Sequence, residues 1–170
     1  MNINGLFLDE NLKLADDDYI ESLSSVDILC ISESHCLSHV DFQKCSSNNL
    51  GSSSFYYFQS PGSRVSNMGR GMGGFIVRIS KQFGGRVEPI SICSLSRSRY
   101  IFWLNCIVDS SLSFFLGTCY FPPLGDSCYD EEGLLHPHKA LGHDLGILKK
   151  SINNNIVLVC WRFQWQDWDY

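Results

Sequence analysis

Between residues 75 and 121 the chain carries four runs of strand-forming residues, FIVRIS, VEPISIC, YIFWLNCIV and SFFLGTCY, each set off by turn-type residues. Side chains of this kind, β-branched and aromatic at high density, suit a pleated and half-buried surface rather than a helix. Short gaps between such runs pair them as hairpins, so this stretch requires a fold with much antiparallel sheet.

The flanking segments add helices and further strands. DENLKLADDDYIESLSS (9–25) reads as a surface helix, with Leu12, Tyr19, Ile20 and Leu23 as its core contacts. VDILCIS is a short apolar strand that ends at Glu33, and FYYFQS precedes a loop rich in Ser and Gly. After the PPLGDSCYDEEG loop, HKALGHDLGILKKS reads as a helix despite two glycines, and IVLVC is the last strand. The pattern predicts an α/β fold of two mixed sheets with flanking helices.

At 170 residues the chain is long enough for one domain with a real core. Apolar residues make up 44% and charged residues 18%, which is a globular composition and not a disordered one. No apolar run reaches the length of a membrane span, and the start carries no basic-then-apolar leader, so the expected setting is intracellular with no membrane partner.

Of eight cysteines, Cys30, Cys93, Cys106, Cys119 and Cys160 sit inside strand-like runs, where a thiol behaves as a small hydrophobe. None forms a CxxC pair, which argues against a zinc site of the usual spacing. The net charge of −5 does not point to nucleic acid. Its distribution is more informative: Arg64, Arg70, Arg78, Lys81, Arg86, Arg97 and Arg99 stand against the single acid Glu88. Such a basic middle could face phosphates, and a solvated strand face accounts for it as well.

GRGMGG suggests a phosphate loop, but no Lys-Ser/Thr follows and a strand comes next, so a hairpin turn is the better reading. His136, His138 and His143 lack a suitably spaced carboxylate or Cys and read as loop and helix surface. Glu33 stands at the carboxyl end of a strand, where open α/β sheets place ligands, although a lone Glu there is commonly a solvated side chain. Asn2 and Asn4 in NINGL and Tyr120 in GTCYFPP are weak signals singly, yet with Glu33 they form a set of polar groups at strand ends.

That ordered set, NINGL, DILCISESH after one helix, GRGMGGFIVRIS and FFLGTCYFPP, resembles the endonuclease/exonuclease/phosphatase superfamily. It is most similar to the endonuclease domain of non-LTR (LINE-type) retrotransposons. The resemblance implies a two-sheet α/β sandwich of deoxyribonuclease I type, acting on DNA by metal-dependent phosphodiester hydrolysis, usually with Mg2+. It implies Glu33 as the metal-binding carboxylate, Asn2 as holding the phosphate or a metal water, and Asn4 at a position where many members have Asp. Tyr120 would hydrogen-bond the scissile phosphate. A monomer acting in the nucleus is the corresponding expectation.

The departures are as specific as the matches. The resemblance places a strand before NINGL, where this chain has only Met1, and a Gly-Asp-Phe-Asn motif at the end of the last strand. Here that strand continues into Trp161, Arg162, Phe163 and Gln164, and a closing Asp-His pair is missing. If Arg162 has a CGN codon, reading WRFQWQDWDY one nucleotide later permits GDFNGRIG. The expectation is therefore residues 1–160 as the N-terminal part of such a domain, 161–170 as an out-of-frame tail, and a truncated copy inactive as written. The rival readings are a non-catalytic nucleic-acid-binding remnant and another phosphodiesterase or phosphatase of the superfamily, such as a lipid-phosphate phosphatase.

Overall fold

The computed structural model describes residues 7–8, 11–12, 25–36, 54–62, 73–83, 85–90, 100–122, 137–151 and 156–163. Asn2 and Asn4 lie outside them, as do His136, Cys93, Arg64, Arg70, Arg97 and Arg99. The first elements are a two-stranded antiparallel pair, β1 (Phe7–Leu8) and β2 (Asn11–Leu12). This corrects the helix expected over 9–25 at its start. Phe7 and Leu8 pair with Leu12 and Asn11 across a two-residue connection, and Asn is a poor helix former.

Two larger sheets face each other. The first has the order β3 (Ile28–Ser32), β5 (Phe75–Ser80), β4 (Phe55–Ser60), antiparallel throughout. All six residues of β5 are buried, as the central strand of a sheet covered on both faces requires. A 3-10 turn, Lys81–Phe83, leads into the second sheet. Its order is β6 (Arg86–Pro89), β7 (Ile101–Ile107), β8 (Ser113–Phe121), β9 (Ile156–Phe163). β6, β7 and β8 pair antiparallel, and β9 joins β8 in parallel after helix α1 (Pro137–Ser151), so the sheet is mixed. The two-sheet α/β sandwich expected from the sequence is the observed architecture.

Side-chain alternation assigns each face. Leu104 and Cys106 of β7 and Phe114 and Leu116 of β8 meet Val77 and Ile79 of β5 between the sheets. On the opposite face, Ile101, Trp103, Cys119 and Phe121 pack against Ala140 and Leu148 of α1. Gly117 lies under the Trp103 ring: a Cβ there would stand 2.4 Å from Trp103 Cζ3, so only glycine lets the indole lie flat on the sheet. The indole Nε1 donates to Asp144 Oδ2 of α1 at 2.7 Å, a buried bond that fixes the helix on the sheet. No helix among the described residues is long and apolar enough to cross a membrane.

Several surface expectations change. Arg78 is buried, with Cζ 4.2 Å from the Phe55 ring centroid and Nη2 donating to Val26 O at 3.1 Å. It is part of the outer packing of the first sheet and not of a phosphate-facing stripe. Arg86 pairs with Glu88 at 2.9 Å on the surface. His138 is exposed and stacks on Phe121 at 4.3 Å between centroids, and His143 is exposed on α1. Cys106 and Cys119 are buried as expected of apolar thiols, whereas Cys160 is exposed.

Candidate active site

The carboxyl end of β3 does not simply run out into solvent. Glu33 and His35 both adopt left-handed backbone, φ 57° and 56°, which costs a non-glycine residue roughly 1–3 kcal/mol each. The surroundings hold them there. Ser34 N donates to Gly74 O at 3.1 Å, His35 N donates to Gly73 O at 3.0 Å, and Gly62 N donates to Cys36 O at 2.8 Å. Three segments, 33–36, 61–62 and 73–74, are thereby tied together at one end of the first sheet.

Gly74 shows how tight this junction is. Its φ is +86°, and a Cβ would meet Ser34 Oγ at 2.7 Å and Gly62 N at 2.9 Å. Gly73 is also left-handed, at φ 70°. The two glycines of GRGMGG that are described close a long connection, 61–74, between the antiparallel strands β4 and β5. Their backbone carbonyls hold the Glu33 segment, a role beyond the hairpin turn expected of them; 69–72 lie outside the described residues.

Glu33 is consequently not a solvated strand-end side chain: 14% of it is exposed, and its Oε2 lies 3.7 Å from Nε2 of His35, itself 12% exposed. A carboxylate and an imidazole, two residues apart, thus lie side by side, both mostly buried. His35 went unnoticed in the sequence as a site residue. The only signal for it was the polar Glu-Ser-His run directly after an apolar strand.

Tyr120 comes to this end of the molecule from the second sheet. It is 6% exposed and clusters with Tyr100 and Phe75. The two tyrosine rings lie 6.4 Å apart, and Tyr120 N donates to Tyr100 O at 2.9 Å. Phe75 is the link, because it pairs in register with Ser32, the residue before Glu33. The ends of β3 and β8 are therefore neighbours across the sandwich. The β8–β9 register sets Arg162 opposite Tyr120 and Cys160 opposite Thr118, so Arg162 occupies the strand position next to Tyr120 at that same end.

The donor set is sparse. Among the described residues no group of three or more His, Cys, Asp or Glu side chains could hold a metal ion. One carboxylate beside an imidazole does not fit Mg2+, a hard cation that requires several oxygen ligands in octahedral array. What the described residues supply is a held carboxylate, a neighbouring imidazole and a tyrosine, with the backbone of Arg162 at the paired strand position.

No family model and no curated protein matches the chain. Solved structures do. The D. rerio TDP2 complexed with single strand DNA product aligns at 17% identity and TM-score 0.47 over 82% of this chain. A humanized D. rerio TDP2 aligns at 16% identity and TM-score 0.48 over 92% of this chain, and the human Nocturnin catalytic domain with bound sulfate anion at 17% and 0.46 over 79%. The chain spans 48%, 65% and 50% of those three structures, respectively.

Proposed function

We propose that the chain is a phosphodiesterase-type domain of the endonuclease/exonuclease/phosphatase superfamily, of the DNA endonuclease kind carried by LINE-type retroelements. In this reading domains of this kind act on nuclear DNA, and this copy is inactive as written. The observation that carries the reading is Glu33: a mostly buried carboxylate in left-handed backbone, pinned by Gly73 and Gly74 at the end of a buried strand. Strain of that kind persists where a structure over-determines it, and functional sites are where it concentrates. Burial of Arg78 weighs against the rival reading of a basic strand face that binds nucleic acid without cleavage.

The same geometry supports inactivity. Phosphodiester hydrolysis needs the developing charge on phosphorus to be neutralised and a water to be deprotonated. In the superfamily pattern, an Asp of Gly-Asp-Phe-Asn belongs at the end of β9. Arg162 holds that strand position here, beside Tyr120. A permanent guanidinium can neither accept a proton nor ligate a cation, and it opposes cation binding nearby. Tyr120 could donate a hydrogen bond to a phosphate oxygen and Glu33 could accept one from water, but the rim is incomplete among the described residues.

Two measurements test this. Incubated with supercoiled plasmid and Mg2+, the chain is expected to nick no faster than a buffer control; nicking that disappears in Glu33→Ala would overturn the inactive reading. The DNA encoding residues 160–170 should carry a CGN codon for Arg162 and, one nucleotide on, read through Gly-Asp-Phe-Asn into a frame with a closing Asp-His pair. An AGA or AGG codon there rules out the shifted frame.

A further inference from the structure

His138 is the second residue of α1, and its ring lies on Phe121 with centroids 4.3 Å apart and planes 9° from parallel. The two members of this stack are unequal. Phe121 is 3% exposed and belongs to the cluster of Ile101, Trp103, Cys119 and Ala140 between α1 and the second sheet. His138 is exposed. One face of the imidazole is thus taken by a fixed, buried ring, and the exposure of His138 lies on its remaining sides.

The stack stands beside the Glu33 end of the molecule. Phe121 follows Tyr120 at the end of β8, and alternation sends the two rings to opposite faces of the second sheet. Tyr120 goes to Phe75 and Tyr100, and Phe121 goes to α1. Only the thickness of one sheet separates the two positions. The first turn of α1 holds no acidic residue, and Lys139 next to His138 is exposed. A helix start of this kind favours a negative group nearby through its unpaired backbone N–H groups and its dipole.

We propose that His138, backed by Phe121, is a stacking platform for an unpaired nucleobase of a single DNA strand whose phosphates pass the first turn of α1. The inference rests on the nucleic-acid reading above and adds to it a binding contact that needs no metal and no completed rim. A flat ring already held against a rigid neighbour has little freedom left to lose, so a base that stacks on it gains contact at low entropic cost. Every base has such a face, so the contact is indifferent to sequence. A paired duplex keeps those faces inside its own stack, so the platform selects single strands. Lys139 and the helix start act on the phosphates alone, and their share is salt-dependent and blind to the bases.

The full chain, in EDTA and low salt, is titrated into an end-labelled oligothymidylate and into an abasic strand of the same length, with fluorescence anisotropy as the readout. The parent should bind the oligothymidylate about tenfold more tightly than the abasic strand. His138→Ala should lose that difference, binding the oligothymidylate about tenfold more weakly and the abasic strand as before. His138→Phe, which keeps a flat ring against Phe121, should restore the difference. Lys139→Gln should weaken both strands alike. Matching far-ultraviolet circular dichroism of parent and variants separates a lost contact from a lost fold, and a merely structural role for the stack would not distinguish a base from its absence. Equal affinity of the parent for the two strands overturns the platform and leaves the nucleic-acid reading standing, as does an unchanged oligothymidylate affinity in His138→Ala. Failure of His138→Phe to restore binding also overturns the stacking role. A parent that binds neither strand overturns the platform and the nucleic-acid reading together.

Discussion

The least comfortable residue in the described structure is Asp144. Its side chain is fully buried, Oδ2 accepts the Trp103 indole, and Oδ1 has no hydrogen-bond partner. Burial pushes its carboxyl up to about 6, with the Trp103 bond and the nearby His143 pulling the other way. A carboxyl raised in the folded state holds its proton there when the unfolded chain has lost it. Stability is therefore greatest below the unfolded value and falls as pH rises toward and through about 6. Across that window the loss should be about 3 kcal/mol. Asp144→Asn keeps an oxygen for the indole and removes the charge, so its urea midpoint should exceed the parent's at pH 8 and approach it at pH 4. Equal midpoints of parent and variant at pH 8 would show that Asp144 is not buried as a charge. At the Glu33 junction the strain lies in the backbone instead, and hydrogen bonds to Gly73 and Gly74 retain it.

Among the elements, α1 is the one whose sequence compromises most. It begins with Pro137 in the first turn, where a missing N–H costs nothing, and ends with Lys149 and Lys150 against the negative end of its dipole. Its interior nevertheless holds Gly142 and Gly146, and a Cβ at either would meet nothing within 4 Å. Gly142→Ala and Gly146→Ala should each stabilise by about 0.5–1 kcal/mol, because the unfolded chain loses freedom and no contact is disturbed. Guanidinium titration of the single and double variants checks this, and a loss of stability in either would mean the helix packs differently. The contrast with Gly117, pressed against Trp103, shows that a glycine in sequence carries no label of its reason. Strands β5, β7 and β8 and helix α1 were legible because their periodicity is long and undisturbed. The start of 9–25 was not, since LDENL supports a tight hairpin as readily as a helix turn. Glu33 could be singled out by its place after an apolar strand, but nothing local to ESH foretold left-handed backbone, which depends on carbonyls some forty residues away. Tyr120 was legible only as a strand end. That it packs on Phe75 and Tyr100 follows from two sheets closing on each other, which no spacing in the sequence encodes.

At the scale of the whole molecule, the sandwich is well filled at its centre and open along β9. Ile156 is 54% exposed and Leu158 43%, although alternation turns both toward the first sheet. Among the described residues the first sheet has three strands and the second four, and β3 contributes five residues at its edge. Apolar side chains on a strand that is the edge of its sheet among the described residues are a surface on which other chains can pair or stack. The chain on its own should therefore self-associate or precipitate as its concentration rises, more strongly in sulfate-containing buffers, where burial is favoured. Replacing Ile156→Lys and Leu158→Glu removes the apolar row without emptying any part of the core. The double variant should remain monomeric by analytical ultracentrifugation at concentrations where the parent sediments as larger species. Its urea midpoint should lie within about 0.5 kcal/mol of the parent's, as expected for surface positions. A parent chain that stays monomeric and unfolds in one sharp transition would show that this face needs no cover. A double variant that loses several kcal/mol would show instead that Ile156 and Leu158 already belong to the core.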